Sequence, residues 1–349
     1  MTLTSLLGMS LTNNKLINLL GITTPIIGAP MAGASGGSLA AQITLGGGFG
    51  FVGTGYITAE QIQEELEVAR RTLGADSQSP LQIGVGFLCW RLERDETQGE
   101  KELKTALDNR VAAVWFSFGE KLPHWIQFVR DHDEANGKKT VIFVQIPSVE
   151  DALVAIRDWK VDVIVTQGIE AGGHGFGNAP PMKSLIASIL SIAPEGGPAV
   201  IGAGGLVTGR HVAELLTLGA TGAVLGTRFL LTPESLYSDG HKKALVAAES
   251  TTSVRSMAFD QARGTLGWPS GVDGRGLRNA TVDDYEKGED IQVLRSKFQE
   301  AGRNHDISRA IVWAGTGVGD MNDIKPAKEL VQELHRECLA YLQSNAAQA

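Results

Sequence analysis

Hydrophobic positions fall into eight short, nearly continuous runs: PIIGAPM from Pro25, FGFVGTG from Phe49, LQIGVGF from Leu81, VAAVWFSFG from Val111, TVIFVQI from Thr140, VDVIVTQG from Val161, PAVIGAGG from Pro198 and TGAVLGTRF from Thr221. Within a run, apolar residues do not alternate with polar ones, which is what strands covered on both faces require. Stretches of helical spacing lie between the runs. ITAEQIQEELEVARRTL offers Thr58 as an N-cap, and in SVEDALVAIRDW Ser148 precedes acidic residues in a near capping box. Strand and helix therefore alternate eight times, which predicts an α/β fold. Eight units of this spacing favour a closed (β/α)8 TIM barrel over an open doubly wound sheet.

After the eighth run the pattern changes. Residues 232–310 hold two helical pieces, SLYSDGHKKALVAAES and TVDDYEKGEDIQVLRSKFQEA, around the Gly-, Arg- and Pro-rich stretch RGTLGWPSGVDGRGLRN. They predict a small, mainly helical lobe inserted after strand 8, with residues 1–231 and 311–349 forming the barrel. IVWAGTGVGD returns to apolar and glycine-rich character. PAKELVQELHRECLAYLQ, with Pro326 near its start, predicts a closing amphipathic helix packed back on the barrel.

Composition narrows the class. With 349 residues, 43% hydrophobic and 20% charged, the chain suits one α/β barrel with an added segment. Forty-three glycines without a fixed period point to tight turns and backbone-lined sites. The net charge of −8, with no basic stripe, argues against a nucleic-acid partner. Cys89 and Cys338 stand far apart, so no disulfide framework or metal cluster is read, and a reducing, cytoplasmic setting fits. The start, MTLTSLLGMSLTNNKLINLLG, lacks the basic beginning and apolar run of a signal peptide and reads as a docked arm or short helix. No stretch approaches the roughly 18 apolar residues of a membrane span. The terminal NAAQA carries no lipidation or peroxisomal address.

In barrels of this kind the chemistry sits at the C-terminal strand ends. There the runs deliver Pro30 and Met31, Gln145, Gln167 with AGGHG, the Gly202–Gly205 loop and Gly226-Thr227. Glycine loops after strands seven and eight are where this fold cradles a phosphate with backbone N–H groups, so a phosphorylated cofactor or substrate is expected. The GxGxxG pattern at 48–53 is discounted, because it overlaps a strand and follows a helix instead of opening one.

His174, between Gly173 and Gly175 at a strand end, has room to meet a ligand as a general base or as an anion-stabilising cation. The other six histidines stand in helical or lobe stretches with no metal-ligand spacing. Cys89 reads as a packed or rim thiol for want of a base. No GxSxG elbow supports serine hydrolase chemistry.

GAPMAG at 28–33, TQGIEAGGHG at 166–175, GAGGL at 202–206, GTRF at 226–229 and WAGTGVG at 313–319 together resemble the nitronate monooxygenases, formerly 2-nitropropane dioxygenases. The match runs in order over most of the chain. The resemblance implies non-covalent FMN across the barrel mouth and O2-dependent oxidation of alkyl nitronates to carbonyl compounds and nitrite, a detoxification of nitro compounds. It places flavin contacts on Pro30, Met31, Gly172, Gly173, Gly202 and Gly315-Thr316, and phosphate contacts on Gly204, Gly205, Gly226 and Thr227. It also places Gln145 and Gln167 at the ring edge and the lobe over the substrate. His174 would remove the α-proton of a neutral nitroalkane, or only stabilise a nitronate anion; the residues leave both roles open.

The alternative is an FMN-dependent NAD(P)H reductase of the enoyl-acyl-carrier-protein or quinone type, for which Arg255, Arg263, Arg275 and Arg278 could receive the dinucleotide unless they are solvated surface charges. A barrel that merely binds a phosphorylated ligand would need no His174. Apolar stretches in the lobe would permit a homodimer.

Overall fold

The computed structural model describes residues 13–347. Its strands are β1 (Ile26–Gly28), β2 (Phe51–Gly53), β3 (Leu81–Leu88), β4 (Val111–Ser117), β5 (Val141–Ile146), β6 (Val163–Gln167), β7 (Gly173–Phe176), β8 (Ala199–Ala203), β9 (Gly222–Leu225), β10 (Ser253–Ser256) and β11 (Val272–Leu277). Eight of them pair in parallel in the order β1-β9-β8-β6-β5-β4-β3-β2. A parallel bridge from Ile27 to Phe49 joins the two ends and closes the barrel. All eight apolar runs of the sequence supply these strands.

Two apolar layers explain why the runs are continuous. One face of the strands turns inward, where Phe49, Phe51, Trp115, Phe143, Val165 and Ile201 fill the barrel. Phe143 stacks on Trp115 with 5.7 Å between ring centroids, and Phe51 meets both edge-on. The other face packs Val85, Phe116, Val144 and Ile164 under the surrounding helices. A polar residue on either face must find a partner within the protein, as Thr166 does by donating 3.0 Å to the Ile201 carbonyl.

Helix ends follow the expected chemistry. Thr58 makes a full capping box with Gln61 ahead of the helix Ala59–Leu73, and Gly74 ends that helix in the left-handed region. Ser148 caps Val149–Val154, which continues as a π turn over Ala155–Trp159. The closing helix Ala327–Ala346 starts after Pro326 and packs on the barrel through Leu330, Val331 and Leu334. The 48–53 glycines serve packing: a Cβ on Gly50 would lie 2.1 Å from Ala40 backbone, and one on Gly53 would lie 2.6 Å from Met31 backbone. At the N-terminus a helix covers Lys15–Leu20, and the remainder of the arm read at residues 1–12 lies outside the described residues.

Residues 232–310 contain the helices Asp239–Val246, Ala258–Arg263, Ala280–Glu286 and Ile291–Arg303. They also contain β10 and β11, which the glycine-rich sequence concealed. β10 pairs antiparallel with β11, and β11 in turn pairs antiparallel with β7, the short strand that carries His174. The lobe is thus stitched to the loop after β6. Among the described residues no helix is long and apolar enough to cross a membrane.

Candidate active site

The C-terminal strand ends open into a cavity of about 1200 Å³, solvent mouth included. Pro30, Met31, Gln145, Gln167, Gly172, Gly173, His174, Gly204, Gly205, Gly226, Thr227 and Gly315 all line it. Twelve residues from six separate stretches of sequence therefore share one wall. Gly202 and Thr316 do not. A Cβ on Gly202 would meet Ile186, Met182 and Leu215 in the helix layer, and the Thr316 amide donates 3.0 Å to the Glu170 carbonyl.

The glycine loops form a cradle of unused donors. The N–H groups of Gly204, Gly205, Gly226 and Thr227 find no backbone acceptor among the described residues, although all four residues face the cavity. Gly205 sits at φ 67°, where a side chain is strained, and a Cβ there would press on Thr316 and Glu170 at 3.0 and 3.2 Å. Gly315 donates 3.0 Å to Thr227 Oγ1, fastening the WAGTGVG return to the end of β9. Deeper in, the Trp115 indole N–H is buried without a partner while its residue lines the cavity floor. Unpaired amides above an unpaired indole suit an anionic tail attached to a flat polar ring.

Gln145 donates 2.9 Å to Gln167 Oε1, and Gln167 donates 3.0 Å to the carbonyl of His174. Gln167 therefore has both ends engaged and anchors β7, while Gln145 keeps its own carbonyl oxygen free at the cavity.

His174 is set by three elements. Its backbone pairs with Gly274 of β11. Its ring stacks on Trp268, with centroids 3.7 Å apart and planes 13° apart, and Trp313 leans on it at 4.9 Å. A side chain at Gly274 would strike Trp313 at 2.5 Å, so glycine leaves the space that this aromatic group fills. His174 Nε2 lies 2.9 and 3.0 Å from the two carboxylate oxygens of Asp260, a fully buried residue that also accepts 2.6 Å from Thr265 Oγ1.

Asp260, Thr265, Trp268 and Trp313 were not singled out by sequence reasoning. They come from the lobe and the return segment; Trp313 opens the WAGTGVG motif, while no local pattern marks the other three. The same holds for Phe118, which lines the cavity at φ 56° and meets Trp268 edge-on, and for Tyr56 and Tyr237. Burial pushes both phenols above their ordinary pKa, so they are neutral near pH 7. Tyr237 accepts 3.1 Å from the Trp313 amide.

The four lobe arginines divide, and the surface reading is corrected for two of them. Arg255 pairs with Asp273 and donates to the Gly175 carbonyl, and Arg275 donates to the carbonyls of Ile169 and Ser253. Both pin the three-stranded sheet. Arg278 stays at the surface, paired with Asp283 and Glu286. Arg263 lines the cavity mouth over the Tyr56 ring at 5.7 Å; among the described lining residues it is the only lysine or arginine, and no carboxylate joins it. Cys89 is fully buried with its thiol pushed well up by desolvation, as a packed residue should be. His211 is structural, its Nδ1 accepting 3.1 Å from the Val207 amide.

The profile of the nitronate monooxygenase family matches residues 13–337. The chain belongs to the nitronate monooxygenase family. Nitronate monooxygenase of Neurospora crassa is 33% identical over 347 residues, spanning 89% of this chain and 88% of that protein. A solved structure of nitroalkane oxidase from Streptomyces ansochromogenes superposes with TM-score 0.76 at 26% identity, covering 97% of this chain and all 100% of that one. FabK from Thermotoga maritima, at TM-score 0.76 and 21% identity over 97% and 99% of the two chains, shares the fold.

Proposed function

We propose that the protein oxidises alkyl nitronates with O2 to carbonyl compounds and nitrite, using FMN bound without a covalent link in the barrel mouth. The observation that carries the reading is that one cavity joins an unsatisfied amide cradle to a histidine fixed at its rim. Gly204, Gly205, Gly226 and Thr227 would hold the cofactor phosphate. Pro30, Met31, Gln145, Gly172, Gly173, Gly315 and the Trp115 indole would hold its ring. When bound, the flavin supplies the redox chemistry with oxygen.

The residues of the chain bind and orient the substrate. Arg263 at the mouth draws in a nitronate, whose charge suits the one free cation of the lining. Trp268, Trp313 and Phe118 exclude water above the reacting centre. His174 takes the α-proton when the substrate arrives as the neutral nitroalkane. Among the four arginines offered to a nicotinamide dinucleotide, Arg255 and Arg275 are spent inside the lobe sheet, which weakens the reductase alternative. Buried, unpaired Cys89 and Cys338 agree with a reducing, cytoplasmic setting.

The test is the visible spectrum of the purified protein with nitrite release and oxygen uptake on nitroethane and on ethyl nitronate. A yellow protein active on ethyl nitronate is expected. In His174→Ala, nitroethane turnover should fall by ~10²–10⁴-fold while ethyl nitronate turnover stays within about tenfold. A yellow protein inert to both compounds but rapidly bleached by NAD(P)H would overturn the assignment.

A further inference from the structure

We propose that Asp260 is the positioning residue of the site: it holds the proton of His174 on Nε2, so that Nδ1 is the nitrogen that accepts the substrate proton. This rests on His174 acting as the base.

Burying Asp260 is costly. Its side chain has no exposed surface and sits beside the apolar cluster of Ala258, Phe259 and Val282. A buried carboxylate costs several kcal/mol unless donors satisfy it. Among the described residues no lysine or arginine pairs with it; its donors are His174 Nε2 and the Thr265 hydroxyl. An ionised carboxylate only accepts hydrogen bonds, so Nε2 must carry a hydrogen. In the neutral imidazole that leaves a bare lone pair on Nδ1. Nδ1 has no hydrogen-bond partner, and it is not among the buried unpaired atoms, so it remains accessible.

Rotation cannot undo this assignment easily. Trp268 covers one face of the ring, Trp313 crowds it, and Gln167 clamps the backbone carbonyl of His174. When the α C–H bond of a nitroalkane breaks, its proton passes to Nδ1. The electron pair forms the C=N bond, and negative charge moves onto the nitro oxygens. The imidazolium so formed keeps its Nε2–H on Asp260, whose charge offsets it, and lies against the indole face that favours a cation. No oxidant enters this step.

Two readouts test the inference on the full chain. The first is ¹⁵N NMR of ring-labelled histidine, with His174 assigned by its disappearance in His174→Ala. Wild type should show a pyrrole-like Nε2 and a pyridine-like Nδ1, and Asp260→Asn should mix or reverse them. A wild-type protonated Nδ1 beside a bare Nε2 overturns the proposal. The second is kinetic. Asp260→Asn should lose nitroethane turnover by ~10²–10⁴-fold, raise the deuterium effect with α-deuterated nitroethane, and keep ethyl nitronate turnover within about threefold.

Equal losses on both substrates at full flavin content, or no loss on nitroethane, overturn it. If Asp260→Asn does not retain flavin, Thr265→Val replaces it, and an unchanged ratio of nitroethane to ethyl nitronate turnover is then the overturning result. Failure of the base reading is separate: His174→Ala would keep nitroethane turnover.

Discussion

The two walls of the cavity are built by different means. The barrel rim works through its backbone: Gly204, Gly205 and Gly226 present amides with no acceptor, and Gly172 approaches so closely that a Cβ would lie 2.5 Å from the Gly315 nitrogen. The lobe works through side chains, setting Asp260 on His174, Trp268 over its ring and Arg263 at the mouth. A backbone site tolerates almost no substitution at its glycines, because any side chain fills the ligand's place or strains the turn. A side-chain site tolerates substitution structurally but loses the chemistry of the group removed. Cofactor retention and turnover should therefore separate between the walls.

The largest effect should come from the rim. Gly205→Val forces a β-branched residue into the left-handed region at a cost of about 1–2 kcal/mol and pushes against Thr316 and Glu170. The protein should purify nearly colourless, read from its visible to ultraviolet absorbance ratio, with a lowered Tm. A fully yellow Gly205→Val protein would break the comparison at its root.

Next comes Trp268→Ala in the lobe. Flavin content should match wild type, while nitroethane turnover falls by about tenfold as the ring of His174 loses its support. The stability loss should exceed the ~0.5–1.5 kcal/mol of one aromatic pair, since Trp268 also packs on Trp90 and Phe118, as measured by urea unfolding. Loss of flavin would show that the walls are not separable.

A smaller effect is expected at the mouth. Arg263→Ala should raise KM for ethyl nitronate a few-fold and flatten its salt dependence, with stability within about 0.5 kcal/mol. An unchanged KM at low salt would remove Arg263 from substrate capture.

The smallest effect is none. Burial pushes the Cys338 thiol up to about 12 and Cys89 well above its ordinary value, so at pH 8 both stay protonated and covered. A thiol-labelling reagent should leave the native protein unlabelled and react with both after unfolding. Rapid native labelling of either would contradict the packing around it.

The legibility of the fold follows the same division. All eight barrel strands were readable, because a strand covered on both faces must be apolar throughout. β10 and β11 were not, because VRS and DGRGL carry arginine and glycine where the lobe needs pins and clearance rather than apolar cover. Gly202 falls outside the cavity lining for a related reason. It belongs to a glycine-rich run at a strand end, yet strand alternation turns its empty side toward the helix layer.

What the sequence determined by itself was the barrel, the amide cradle and His174 at its rim. Each rests on local rules: hydrophobic continuity within a strand, and glycine where backbone must meet a ligand or another loop. Only the tertiary structure decided which partner the histidine has and which of its nitrogens is free. Asp260 lies 86 positions from His174 in a helix with nothing unusual in its residues. An interaction between side chains so distant in sequence imposes no spacing or periodicity on either segment, so it can be seen only once the lobe strands lie against β7.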